Sequence, residues 1–356
     1  MSEKDLSRRG FLGKGTLALG AAGLVAGQAL AAGEEKVPRS KILSHDERME
    51  YRRLGKTDLM VSAISLGGHW KRLAAEGADF DKNRADVVAK CIDSGVNYVD
   101  ACAHGEILAY SKALRSIGKR DKMYFGFSWY EHEMRFEGFR TKKALLKTLE
   151  DGMQESGLDY VDLWRVTCHE PGRLHTFAEV FEMVEAGEQA LKDGKCRYFG
   201  ISSHDRLWLD LMIKNYPIIS VILTPYTADS KEKPKDSLFD AVRRCDVGVF
   251  GIKPYSSNSL FKGDSQPGNP HEKEDDERAR MALRYILCND AVTAPIPGLI
   301  STHQVDNCLR AIAERRQYDL AAAPAILDDT RFARAVNEMW DRLPQDYQWL
   351  RDWEWV

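Results

Sequence analysis

The sequence contains no Cys-x-x-Cys pair, no strand–GxGxxG–helix unit, no low-complexity tract and no internal repeat. It also has little excess of charge of either sign, with 51 basic against 54 acidic residues and a formal net charge of -3. Near-neutrality excludes a general polyanion binder, so neither nucleic acid nor an anionic membrane surface is an expected partner. The missing repeat excludes solenoids and propellers. Without a glycine-rich turn after a first strand, a doubly wound dinucleotide fold becomes the lesser alternative. Seven cysteines (91, 102, 168, 196, 245, 288 and 308) form an odd set in a long chain, which argues against a disulfide framework. Most are expected to be small buried hydrophobes, with Cys102 and Cys168 closest to candidate chemistry.

The one extended apolar run, "TLALGAAGLVAGQALA", is short and glycine-rich for a stable membrane span. It follows "SRRGFLGK", which contains the pair Arg8-Arg9, and it ends at the small-x-small tripeptide Ala29-Leu30-Ala31. Residues 1–31 therefore read as a twin-arginine (Tat) export signal, followed by a linker at 32–50. The expected destination is the periplasm, reached by the Tat machinery in a folded state, with no stable membrane anchor.

From Tyr51 onward short apolar runs alternate with helical patterns. Strand-like runs fall at 62–67, 97–100, 123–128, 160–166, 196–202, 218–224, 247–253 and 291–296, each followed by amphipathic sequence. Near-continuous apolar strands are buried on both faces, as in a parallel sheet. Eight such units close most economically into a single (β/α)8 TIM barrel, expected over 51–320. Residues 321–356 read as a C-terminal helix and a tail carrying Trp349, Trp353 and Trp355, which is expected to pack on the barrel or on a second subunit. The polar stretch 256–275 is placed to cover the mouth as a lid or to stay disordered.

Barrel active sites lie at the carboxyl ends of the strands. Those positions hold His69, Asp100, Cys102, His104, Ser128, Cys168, His169, Glu170, Ser202, Ser203, His204, Tyr226, Lys253 and Gly298. The stretches "YRRLGKTDLMVSAISLGG", "GVNYVDACAHGE", "LDYVDLWRV", "LKDGKCRYFGISSH" and "AVTAPIPGLISTHQVDN" resemble the aldo-keto reductase superfamily over residues 50–315. That resemblance implies a nicotinamide cofactor, NADP or NAD, and hydride transfer to a carbonyl of a small-molecule substrate.

It also implies a catalytic Asp, Tyr, Lys and His. Only Asp100 is in register. The tyrosine loop is shortened to "DACAHGE", leaving His104 as the proton donor near its place; the lysine position is Ser128; the histidine position is Thr167, with His169 two residues on. Catalysis is accordingly expected from Asp100, His104 and His169, with Lys253 as a charge partner. Ser202, Ser203, Lys253, Gly298, Ser301 and Gln304 are the cofactor-binding candidates by resemblance. The usual 2′-phosphate position is Ile300 and the adenine-side position is Cys308, which gives no support to NADPH preference.

Two other readings stay open. Cys102, His104, His169 and His204, with Asp100, Glu106 or Glu170 beside them, are ligand types suited to zinc, copper or iron. A degenerate barrel kept for binding alone is the other.

Overall fold

The structure, a computed structural model, describes residues 41–68, 73–232, 238–321 and 323–345. The export-signal residues, His69 and the three tail tryptophans lie outside the described residues.

The chain opens with an antiparallel hairpin, β1 (Tyr51–Arg53) and β2 (Met60–Ser62). Seven parallel strands follow in sequential order: β3 (Tyr98–Ala101), β4 (Tyr124–Phe127), β5 (Val161–Thr167), β6 (Cys196–Ser202), β7 (Ile219–Pro225), β8 (Gly248–Ile252) and β9 (Ala294–Pro295). The segment Leu66–Gly67 bridges Val99 on one side and Gly298 on the other, which closes the sheet on itself. The fold is the (β/α)8 barrel that the alternation of runs implied.

Helices α1 (Gly77–Asp93), α2 (His104–Ser116), α3 (Lys142–Ser156), α4 (Phe177–Lys192), α5 (Arg206–Asn215), α6 (Leu238–Cys245), α7 (Glu272–Ile286) and α8 (Thr302–Tyr318) surround the strands. Their starts are written in the sequence. Thr176 and Glu179 form a reciprocal capping box on α4, Asp205 caps α5 through the Trp208 amide, and Ser301 caps α8 through the Gln304 amide. Helix α9 (Thr330–Asp341) packs Val336 and Met339 into the core, and its Glu338 pairs with Arg278 of α7.

Strand periodicity divides the barrel into two apolar sets. One lies between sheet and helices. The other fills the lumen with Tyr98, Tyr124, Leu163, Val221, Phe250 and Ala294, floored by Leu54, Leu59 and Val61 of the hairpin. Continuing those inward positions toward the carboxyl ends gives Asp100, Arg165, Thr167 and Ser202, so the inward register turns polar near the mouth. The seven cysteines are free thiols. Among the described residues no helix is long and apolar enough to cross a membrane.

Candidate active site

A cavity of about 410 Å³ opens at the carboxyl ends of the strands. At its base Arg165 of β5 forms a bidentate pair with Asp100 of β3, Nη2 to Oδ2 at 2.5 Å and Nε to Oδ1 at 3.0 Å. The third guanidinium arm, Nη1, donates to Thr167 Oγ1 at 2.9 Å. Burial alone would lower the guanidinium's pKa, and the Asp100 carboxylate more than reverses that effect. The Asp100 partner is therefore Arg165 and not Lys253, because Arg165 points inward from the neighbouring part of the same lumen.

Glu106, in the first turn of α2, turns back into the cavity and is buried. Its Oε2 accepts from the Cys102 amide at 2.9 Å. Its Oε1 lies over Gly68, where an added Cβ would stand 1.5 Å away. Gly68 thus leaves the space that the carboxyl fills. Burial pushes the carboxyl up to about 7, offset in part by the Cys102 amide. The shortened loop lets α2 begin at once after β3, and this brings Glu106 to the region where the resemblance implies a tyrosine.

Behind Thr167 lies a second buried carboxyl, Glu133. It accepts from Ser128 Oγ at 2.5 Å, the Thr167 amide at 2.7 Å, and the Trp129 amide and Trp164 Nε1 at 3.3 Å each. Ser128 Oγ stands 2.8 Å from Thr167 Oγ1. Desolvation raises this carboxyl to about 7 against the pull of those donors.

The expected residues separate. Asp100, Cys102, Ser202, His204, Lys253 and Gly298 line the cavity. His104 does not: its Nε2 lies 2.7 Å from Glu155 and its ring stacks on Trp129 at 4.2 Å, facing the helix exterior. His169 is held outside as well, its Nε2 2.5 Å from Arg140 and its ring beside His175. Burial, then Arg140, lowers its pKa. Desolvation pushes the half-buried Cys102 well above the usual thiol range, and burial with Lys253 and Arg135 nearby holds His204 well below the usual imidazole range. The four proposed metal ligands do not converge, and among the described residues no group of three His, Cys, Asp or Glu side chains is placed to hold an ion. Arg165, Glu106 as a cavity acid, Arg135 and Glu133 join the site among the described residues; of these only Glu106 stands among the candidates legible in the sequence, as a metal-side carboxylate.

The residues fit a dinucleotide in part. After β8 the backbone enters the left-handed region at Lys253, Ser256, Ser257 and Asn258, and Lys253, Ser257 and Asn258 line the cavity, a turn of the kind that can cradle an anion. Burial lowers the Lys253 amine to about 8, with Arg135 adding to the fall. Gly298 leads to the α8 N-terminus, also favourable for an anion. Ser203, Ser301 and Gln304 are otherwise engaged: Ser203 Oγ bonds the His169 and Glu170 carbonyls, Ser301 caps α8, and Gln304 holds Ile300 and Ser265. Residues 256–271 form a strap tied to α8 through Gln304 and to α7 through Asp275. Under it a narrow pocket is lined by Glu272, Asp275 and Asp276, with no lysine or arginine among the described residues. That chemistry suits ribose hydroxyls and opposes a 2′-phosphate.

A protein-family model described as "Aldo/keto reductase family" matches residues 63–280. The chain is 23% identical over 315 residues to L-galactose dehydrogenase of Arabidopsis thaliana, an alignment covering 80% of this chain and 96% of that one. It is 24% identical to L-glyceraldehyde 3-phosphate reductase of Escherichia coli K12, over 76% and 90% of the two chains. Among solved structures, it resembles an aldo-keto reductase from Klebsiella pneumoniae in complex with NADPH, with a TM-score of 0.60 and 20% identity over 83% of this chain and 96% of that one.

Proposed function

The chain belongs to the aldo/keto reductase family, and on that premise we propose a nicotinamide-dependent oxidoreductase with an altered site, in which Glu106 takes the proton-donating role. It interconverts a carbonyl and an alcohol on a small polyhydroxylated molecule. The observation that carries the reading is a buried carboxyl, poised near neutrality, facing the same cavity as the Asp100–Arg165 pair.

The cofactor, when bound, supplies or accepts the hydride. The chain's own residues manage the proton and the charge. Glu106 gives its proton to the carbonyl oxygen in reduction and removes it from the hydroxyl in oxidation. Arg165, fixed by Asp100, places a cation near the oxygen while negative charge develops. Thr167, Ser202, Tyr130 and Asn258 offer hydroxyl and amide partners along the walls, a lining better matched to several substrate hydroxyls than to an apolar aldehyde. The relative named for L-galactose accords with that substrate class.

Lys253 and the backbone of 256–258 would hold the diphosphate, and the acidic start of α7 under the strap favours NAD over NADP. The twin-arginine stretch and apolar run of 1–31 support export to the periplasm as a folded protein. A tightly held cofactor would serve such a protein better than one exchanged at each turnover.

The test is direct. Tryptophan fluorescence is titrated with NADH and NADPH, and NADH oxidation is then followed with a panel of aldoses. Glu106→Gln is expected to keep NADH binding and lose turnover by about 10²–10⁴-fold. Failure of both dinucleotides to bind would remove the oxidoreductase reading, and an undiminished Glu106→Gln enzyme would remove the role given to Glu106.

A further inference from the structure

Hydride transfer to a carbonyl requires one proton on one oxygen. The cavity that Arg165 lines provides two separate proton-holding groups. Glu106 reaches it directly from α2. Thr167 reaches it from the end of β5, and behind its hydroxyl a row of short hydrogen bonds runs through Ser128 to Glu133. The reaction proposed above uses Thr167 only as a substrate contact and leaves Ser128 and Glu133 without a part, although that proposal supplies the substrate class.

The direction of the row follows from its donors. Thr167 Oγ1 accepts from Arg165 Nη1, and Ser128 Oγ donates to the Glu133 carboxylate. The Thr167 hydrogen therefore points to Ser128, and the second lone pair of Thr167 remains for an incoming hydroxyl. A proton arriving at Thr167 can pass by successive O–H exchange to Glu133, and returns along the same row when Glu133 is protonated. Ser128 and Glu133 are fully enclosed, so the row exchanges protons with the cavity through Thr167. A carboxyl sealed in this way is costly to bury, and four hydrogen-bond donors offset that cost.

We propose that the cavity catalyses a second, cofactor-independent reaction, enolisation of an α-hydroxycarbonyl, with Glu106 as the carbon base and Thr167–Ser128–Glu133 as the proton route between the two oxygens. The balance closes without an oxidant or reductant. Glu106 removes the proton from the carbon bearing the hydroxyl, and that C–H electron pair forms the C=C bond of an enediol while the carbonyl π pair moves to its oxygen. The reaction starts with Glu106 ionised and Glu133 protonated, which turns the row toward the cavity. The carbonyl oxygen therefore receives a proton from Thr167, whose hydrogen is replaced from Ser128 and in turn from Glu133. The neighbouring hydroxyl then returns its proton to Thr167 as its oxygen becomes the new carbonyl. Glu106 delivers its proton to the adjacent carbon, or back to the original one. Arg165 bears the positive charge beside the enediolate throughout. Thr167 touches substrate and is catalytic; Ser128 and Glu133 act through it.

The experiment uses the full-length protein freed of dinucleotide, with D- and L-glyceraldehyde in deuterated buffer, and follows loss of the C2 proton signal by NMR. Exchange above the buffer rate is expected for at least one enantiomer. Glu106→Gln should lower it by about 10²-fold or more. Glu133→Gln and Thr167→Val should each lower it about tenfold, and Thr167→Ser should restore it. Thermal melts accompany each variant; Glu133→Gln keeps an acceptor for two of the four donors, and its melt separates a proton role from loss of fold. A folded wild type that exchanges no faster than buffer overturns the proposal. A folded Glu133→Gln variant with full exchange overturns the relay. Hydride transfer is read separately with NADH, so its presence without exchange sinks this inference alone, whereas absence of both also counts against the function proposed above.

Discussion

The guanidinium of Arg165 and the carboxylate of Asp100 form a bidentate pair at 2.5 and 3.0 Å, with side chains only 4% and 6% exposed. A pair this deep gains little over apolar residues of the same volume, but removing one member strands the other charge. Arg165→Met should therefore cost about 3–5 kcal/mol in urea unfolding. The double variant Asp100→Leu/Arg165→Met should recover part of that loss while remaining inactive. A double variant as unstable as the sum of the singles would show that the pair is not coupled.

Glu106 should leave a mark on pH dependence. Its folded pKa, about 7, lies above the unfolded carboxyl value of 4.5. Stability from this group is therefore fully present below 4.5 and is lost as pH rises through 7. Glu106→Gln removes that dependence, so its stability relative to wild type should improve between pH 4.5 and 7, by up to about 1.4 kcal/mol per unit. The comparison with wild type cancels opposing groups such as His175, which burial and His169 lower to about 4. In the enzyme assay, reduction should decline above pH 7 and oxidation should decline below it. A difference between the two proteins that stays flat from pH 4.5 to 7 would contradict the assignment.

The barrel was legible because strand burial and helix capping are local properties. "YVDLWRV", "CRYFGIS" and "VGVFGIK" fall where β5, β6 and β8 lie, and Asp205 and Ser301 sit at helix starts. The site was legible in position and not in occupants. Arg165 did carry a signal, a single cation inside an apolar strand with the same parity as Leu163 and Thr167. Its meaning depends on Asp100, 65 residues away. Glu133 lies in the polar stretch "YEHEMRF" and resembles a solvated loop residue; its burial is set by Ser128, Trp164 and Thr167 across two strands. His104 was misplaced for a related reason. The short loop starts α2 earlier, so the side chain near the expected tyrosine turns outward and Glu106, two residues later and so on the far side of the helix, turns inward.

Gly68 tests the fit around Glu106 from the other side. Its missing Cβ leaves the volume held by Oε1, and alanine there would meet the carboxyl at 1.5 Å. Gly68→Ala should displace Glu106, lower activity strongly and destabilise the fold by about 1–3 kcal/mol. The decisive measurement is the double variant Gly68→Ala/Glu106→Ala. With the carboxyl gone the clash is relieved, so it should be no less active than Glu106→Ala alone and about as stable. A further drop in activity would mean that Gly68 serves a different contact.

Cofactor choice follows from the charge under the strap. Glu272, Asp275 and Asp276 line the narrow pocket beside α8, and Ile300 supplies no cation. The Asp275 carboxylate is fixed by the Lys262 and Gly263 amides, so it cannot turn away from an incoming phosphate without unmaking the strap. Asp276 faces His303 at 2.6 Å, and His303 is a surface residue that gives only weak compensation. A 2′-phosphate entering this pocket would meet like charge in a partly desolvated setting, and a free ribose diol would meet acceptors. NADH should accordingly bind at least tenfold more tightly than NADPH, a difference of about 1.4 kcal/mol. Raising the salt concentration should narrow the gap, because screening weakens repulsion more than it weakens the ribose hydrogen bonds. Tighter binding of NADPH at low salt would show that the strap opens and that a cation from elsewhere meets the phosphate.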